Sequence, residues 1–276
     1  MLYRLYRKVL DHYQQNPDSL FARFVRMEIN WLVKTLQRRQ QFHFPARATG
    51  GWWWIERFRF EILMRWLEVE SVERVRKVVK PGMTVVDIGA HIGYYTRLLA
   101  DLVGPSGRVL AFEPNPENFS VLQKNMSLPR YRHVELFNYA VGEQESILPL
   151  YVSPGNSNHS LIEGYTKAEG VIEVRCVDLD SFLQERGIEQ VGFVKSDTEG
   201  AEPLVLKGMR NTAARSSNLH LLMELNPTAL RCGHVEPEQF LESIRSMGFE
   251  IEMITSELSA KESDANMLCS KVLKTQ

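Results

Sequence analysis

From residue 84 onward, apolar runs of strand length alternate with amphipathic stretches of helix length, and this order limits the folds open to the chain more than any other feature. "TVVDI" (84–88) precedes "YYTRLLADLV" (94–103), "RVLAFE" (108–113) precedes "PENFSVLQKNM" (116–126), and "HVELFNYAV" (133–141) follows as a third strand. Further on come helix "DLDSFLQERG" (178–187), strand "VGFVKSD" (191–197), helix "AEPLVLKGM" (201–209), strand "LHLLMELN" (219–226) and helix "PEQFLESIRSMG" (237–248). Parallel strands need a crossover, and a helix supplies it, so this rhythm predicts an α/β domain with helices on both faces of a mostly parallel sheet. Asn115 ahead of Pro116 marks one helix start sharply, as an N-cap followed by a proline at the first helical position.

The rhythm breaks twice. "SILPLYVS" (146–153) and "GVIEVRCV" (170–177), separated by a polar loop, read as an inserted antiparallel pair. "FEIEMIT" (249–255) and "ANMLCSK" (265–271) read as a hairpin at the sheet edge. Before the alternation, "FEILMRWLEVESVERVRKVV" (60–79) reads as a helix, and 2–13 and 19–40 as amphipathic helices separated by the turn residues of "NPDS". The expected division is therefore an N-terminal helical, basic extension over 1–59 and a catalytic domain over 60–276. "ATGGWWWIERF" (48–58) interrupts the helical pattern. Its successive tryptophans cannot share one helical face, so they pack the extension onto the domain, cover a substrate, or meet a membrane interface.

Charge separates the two parts. Residues 1–50 carry nine Lys and Arg against three acids; with a whole-chain charge of −1, the remainder is about seven negative. The basic half is either the solvated outer face of a helix pair or a surface for anionic lipid or another polyanion, with membrane contact peripheral at most. No apolar run reaches the roughly 18 residues of a membrane span, and the start does not read as a secretory signal. Cys176, Cys232 and Cys269 lack metal-ligand spacing and favour thiols in a reducing cytosol, so a cytoplasmic location, if not one peripheral to a membrane, is expected.

"DIGAHIG" (87–93) lies where a strand hands over to a helix, the place where open parallel sheets bind ligands. Gly89 and Gly93 allow a tight turn and a close helix approach. The dinucleotide fingerprint G-x-G-x-x-G is absent, because Gly89 to Gly93 gives only G-x-x-x-G with His91 inside it, and no phosphate-gripping lysine follows. Glu113, about 20 residues beyond, can accept from both hydroxyls of a ribose. Asp87 adds negative charge, which a phosphate would resist and a sulfonium or ammonium would welcome. A cationic, phosphate-free nucleoside is the expected ligand, and S-adenosylmethionine has those properties.

The motifs "VVDIGAHIGYYT", "AFEPNPENF", "NYAVG" and "FVKSDTEGAEPLVLKGM" resemble those of the class I methyltransferases and, more narrowly, of the FkbM family, over roughly residues 60–272. The resemblance implies a Rossmann-like, seven-stranded sheet ending in a reversed hairpin, S-adenosylmethionine as cofactor, and O-methyl transfer. Carried over by position, it places Asp87, Gly89, His91 and Gly93 at the methionine end, Glu113 at the ribose and Asn115 at the adenosine rim. Ala140, at the expected end of the third strand, stands where many relatives carry an acid touching adenine. Asp197 falls nearest the methyl group.

For the chemistry, Asp197 or His91 is the candidate general base, with His159 a lesser one; His91 is alternatively a residue that only shapes the turn. Glu199 anchors the acidic loop or caps the helix after it. Asp197, Glu199 and Glu224 could together hold a divalent ion, but carboxylates converge at strand ends for other reasons and no metal is assigned. Asn156, Asn158, His159 and Ser160 suit sugar hydroxyls or form an ordinary solvated turn. The expected activity is O-methylation of a hydroxyl on a saccharide or secondary metabolite. The alternative is a catalytically silent cofactor-binding scaffold that engages a partner through its basic helices. A nucleic-acid substrate is not expected, because the basic excess is confined to the extension and no Asn-Pro-Pro-Tyr follows the fourth strand.

Overall fold

The computed structural model describes residues 44–48, 51–55, 68–154, 158–254 and 265–271. Two compact units divide between Leu67 and Glu68. In the first, β1 (Phe44–Ala48) and β2 (Gly51–Ile55) pair antiparallel, with Ala48 opposite Gly51. The helical reading of the extension fails for these residues: strand geometry sends successive side chains to opposite faces, which accommodates adjacent tryptophans as a helix does not. Trp53 is buried and Trp54 exposed accordingly. The helices expected at 2–13 and 19–40 lie outside the described residues.

In the second unit, β3 (Thr84–Ile88), β4 (Arg108–Phe112), β5 (Val134–Phe137), β9 (Phe193–Ser196), β10 (His220–Leu225), β11 (Phe249–Ile254) and β12 (Ala265–Lys271) form one sheet in the order β11-β12-β10-β9-β3-β4-β5. The five strands from β10 to β5 run parallel, and β12 runs antiparallel to both β10 and β11. This is the Rossmann-like, seven-stranded sheet with a reversed hairpin that the resemblance implied. Neighbouring strand residues serve opposite faces. Val86, Leu110, Val194 and Leu221 join one apolar cluster with Phe182, Val205 and Ile244, while Val85, Val109, Phe193 and Leu222 join another with Val75, Leu99 and Leu122. A sheet covered on both faces requires such continuous apolar strands.

The helices are α1 (Val69–Val78), α2 (Tyr94–Val103), α3 (Pro116–Asn125), α4 (Leu179–Glu185), α5 (Glu202–Lys207), α6 (Arg210–Arg215), α7 (Pro227–Cys232) and α8 (Pro237–Ser246). The helix expected over 60–79 does not run through Glu68, whose φ of 47° is left-handed. Among the described residues no helix is long and apolar enough to cross a membrane.

Further features of this unit depart from expectation. The strand expected over 133–141 is two strands: β5 stops at Phe137, and β6 (Ala140–Val141) joins a separate sheet, β6-β8-β7, with β7 (Ser146–Val152) and β8 (Gly170–Val177). The break falls at Asn138, whose side-chain amide donates to the carbonyls of Glu113 (2.8 Å) and Pro114 (2.9 Å) and takes the chain out of the ladder. Helix α6 was not anticipated because its N-terminal donors are satisfied from a distance. Asp180 of α4 accepts from the amides of Asn211 (2.8 Å) and Thr212 (2.6 Å). We expect Asp180→Ala to destabilise the domain by about 1–2 kcal/mol, the usual effect of losing a cap, measured by urea unfolding.

Candidate methyl-donor site

The ends of β3, β4 and β9 meet at the centre of the sheet, and the loops that leave them build the site. After β3 the chain turns at Gly89 (φ 73°) and Gly93 (φ 97°). A Cβ on Gly89 would stand 1.9 Å from the Asp197 carbonyl oxygen, and one on Gly93 would stand 2.7 Å from Leu122 Cδ1. Gly89 is therefore demanded by close approach to backbone as well as by φ, whereas at Gly93 the contact is a side-chain end and φ makes the firmer demand. His91 lies between them, itself left-handed at φ 51°.

Glu113 follows β4 and is 4% exposed. Its Oε2 accepts from the His91 amide (2.7 Å) and its Oε1 from the Asn115 amide (2.9 Å). Each oxygen of an ionised carboxylate keeps further acceptor capacity, so these bonds fix the group without exhausting it. Burial raises its pKa above the ordinary carboxylate value, against the opposing pull of His91 and the two amides. Asn115 is buried and its Oδ1 accepts from the amides of Glu117 and Asn118, capping α3 as the Asn-Pro pair implied. Ala140, expected at the end of the third strand, instead lies in β6, paired with Cys176; Phe137 ends β5 and Asn138 follows it.

Asp87 is fully buried. Its Oδ2 accepts from Thr96 Oγ1 (2.6 Å), while Oδ1 has no hydrogen-bond partner and lies 3.8 Å from Lys195 Nζ. Burial raises the pKa of Asp87, opposed by Lys195 and Thr96. Lys195 is the polar residue that the sequence reading passed over. It stands opposite Asp87 in the β3–β9 ladder, is 5% exposed, donates to the Gly89 carbonyl (3.0 Å) and pairs with Asp197 Oδ2 (3.2 Å). Burial opposes its charge, but Asp197, Asp87 and Glu68 outweigh that and raise its pKa. The available signal was a lysine in "GFVKSD", an interior strand of a sheet covered on both faces, where an unpaired ammonium would be very costly.

Asp197 is the more open end of this network, its side chain 38% exposed. Glu199 and Glu224 each bring an oxygen to within 4.8 Å of one of its oxygens and of each other, a spacing from which a hard divalent ion could be held. Of the two roles expected for Glu199, the anchor of the acidic loop is the one seen. Its Oε2 accepts from the Tyr165 hydroxyl (2.8 Å), which in turn accepts from Asn226 Nδ2 (2.8 Å). Buried Glu202 also anchors the loop, accepting from the Thr198 amide and hydroxyl and from the Gly200 amide. Ser160 Oγ donates to the Glu199 carbonyl (2.6 Å), so the segment inserted between β7 and β8 is fastened to the acidic loop. His159 Nδ1 accepts from the Ser153 amide (3.0 Å), a bond that holds the segment's own turn. Asn156 lies outside the described residues.

The Methyltransferase FkbM domain model matches residues 87–251. Among curated proteins, the chain is 32% identical over 145 residues to Methyltransferase 1 of Beauveria bassiana, covering 45% of this chain and 57% of that protein. It is 26% identical over 153 residues to 2-O-methyltransferase NoeI of Sinorhizobium fredii, covering 50% and 61%. To 31-O-demethyl-FK506 methyltransferase FkbM of Streptomyces tacrolimicus it is 30% identical over 163 residues, covering 48% and 62%. The chain thus spans about three fifths of the length of these relatives. With the matched segment running from the buried aspartate of β3 through the whole acidic loop to β11, the chain belongs to the methyltransferase FkbM domain family.

Proposed function

We propose that the chain is an S-adenosylmethionine-dependent O-methyltransferase acting on a hydroxyl of a saccharide or secondary metabolite. The observation that carries this reading is Glu113, a buried carboxylate held by two backbone amides beside a glycine turn that has no pyrophosphate cradle. The residues fit the cofactor: Glu113 keeps acceptor capacity for a ribose, and the charge of Asp87 and Asp197 exceeds that of Lys195, leaving a net attraction for a cation. Two relatives, the 2-O-methyltransferase NoeI and the 31-O-demethyl-FK506 methyltransferase FkbM, support an oxygen acceptor, at the modest identities given above.

S-adenosylmethionine supplies an activated methyl group on a cationic sulfur. The residues of the chain have four tasks. Asp87, Gly89, His91 and Gly93 shape the methionine end, and Glu113 orients the ribose. Asp197 borders the acceptor side and is the group proposed to receive the hydroxyl proton, with His91 and His159 as alternatives. Asp197 is favoured because it is partly exposed at a strand tip, whereas the His159 Nδ1 lone pair is occupied by Ser153. Alignment of the acceptor contributes most of the acceleration in a displacement of this kind. Asn158, Ser160 and Tyr165 are proposed to shape the acceptor side.

The test is to incubate the full chain with S-adenosylmethionine and a panel of glycans and hydroxylated metabolites, and to follow S-adenosylhomocysteine and methylated product by mass spectrometry. Cofactor-dependent product, abolished in Asp197→Ala, is the expected result. Tight cofactor binding with no product across the panel would favour the scaffold alternative, and deleting residues 1–50 would then ask whether that segment engages a partner or a liposome.

A further inference from the structure

The acidic loop and the glycine turn belong to different strands, 106 residues apart at their point of contact, yet one buried ammonium touches both. Lys195 Nζ donates to the carbonyl of Gly89 and pairs with Asp197, and Asp87 lies 3.8 Å away on the third side. The Tyr95 ring of α2 closes a fourth side, 5.3 Å from Nζ to its centroid, and the Tyr95 hydroxyl donates to Glu68 Oε2 (2.7 Å). Charged and titratable groups thus face the ammonium from β3, from α2, from the residue ahead of α1 and from the loop after β9. Lys195 itself is only 5% exposed.

Without the ammonium, three things follow. The Gly89 carbonyl loses the side-chain donor that orients its peptide. Asp87 and Asp197, on adjacent strands, lose the positive charge that separates them. The turn and the acidic loop, packed so tightly that a single Cβ at Gly89 would collide with Asp197, lose the tie that keeps them in register. All three changes fall where Gly89 and Asp197 meet; Glu113 is held by separate amides and feels the Lys195 charge only as the smallest of the influences that lower its pKa.

We propose that Lys195 is a positioning residue of the methyl-donor site: by bridging Gly89 and Asp197 it locks the glycine turn to the acidic loop and sets the shape of the methionine end. The proposal rests on the cofactor reading given above. Two probes separate the ends of the site. S-adenosylhomocysteine carries both the adenosine and the amino-acid portion, whereas 5′-methylthioadenosine lacks the amino-acid portion.

Calorimetry on the full chain should show Lys195→Met losing about tenfold or more in affinity for S-adenosylhomocysteine, as expected when one member of a buried charge pair is removed, with methylthioadenosine changed less than about twofold. Lys195→Arg keeps the charge and should recover most of the loss. A Lys195→Met chain that weakens both probes equally, or neither, overturns the proposal. Should Lys195→Met fail to fold, the wild-type chain provides the test through the 15N signal of the Lys195 ammonium. It should shift on adding S-adenosylhomocysteine and not on adding methylthioadenosine; equal shifts, or none, overturn the proposal. Glu113→Ala distinguishes this failure from a failure of the underlying reading. If Glu113→Ala binds both probes as wild type does, the cofactor site itself is misassigned. If it loses both while Lys195→Met keeps the wild-type ratio, the role of Lys195 alone is refuted.

Discussion

Gly89→Ala is expected to abolish S-adenosylmethionine binding and to destabilise the domain by more than about 3 kcal/mol, because the new methyl group has no place to go. Its φ of 73° alone would cost an alanine about 1–2 kcal/mol. The larger part comes from the Asp197 carbonyl oxygen, 1.9 Å from the added Cβ. That oxygen is backbone and cannot rotate aside, so β3 and β9 must separate where Lys195 ties them. Gly187 provides the control. It has a similar φ of 63° and nothing within 4 Å of an added Cβ, so Gly187→Ala should show the conformational cost alone, about 1 kcal/mol, with binding intact. Thermal unfolding and calorimetry on both variants check the pair, and equal behaviour would refute the steric argument.

The second large effect is at Glu113. Glu113→Ala removes the acceptor proposed for two ribose hydroxyls, and hydrogen bonds to a charged group are worth about 1.5–3 kcal/mol each, so affinity should fall by roughly a hundredfold or more. The substitution also strands the amides of His91 and Asn115, both of which donate to this carboxylate. Some loss of stability should accompany the loss of binding. Glu113→Gln retains one acceptor oxygen and places an amide group where the second oxygen accepted, so it should fall between the two. Calorimetric affinities in the order wild type, glutamine, alanine are the expected result, and a Glu113→Ala variant with wild-type affinity would contradict the ribose assignment.

Much of this site was legible because its determinants are local. Asn115 with Pro116 announces α3 within two residues, and the hydrogen bonds of Asn115 are those the pattern implies. The same signal stands at Asn226 and Pro227, where Asn226 Oδ1 accepts from the Ala229 amide and opens α7, yet that helix was not anticipated. With six residues it lacks the apolar periodicity that drew attention to α3. Other features were hidden for a different reason. The cap of α6 is supplied by Asp180 from 31 residues away, and the end of β5 is decided by what the Asn138 amide can reach just beyond β4. Lys195 reads as one charge in a short strand until the ladder places Asp87 opposite it. Strand identity follows from composition, but pairing order and the depth of a side chain depend on long-range contacts that periodicity does not carry.

The order β9-β3-β4 also has a consequence for synthesis on the ribosome. The strand bearing the glycine bend is made early and acquires β4 as a neighbour within some twenty residues, but its other neighbour is translated about a hundred residues later, after the inserted sheet. Until then one flank of β3 offers unsatisfied amides and carbonyls to any passing chain, a condition that favours misassociation. A nascent polypeptide halted before residue 193 should consequently be a better chaperone client than one halted after β9 has emerged, and ligand added during translation can capture only the later species.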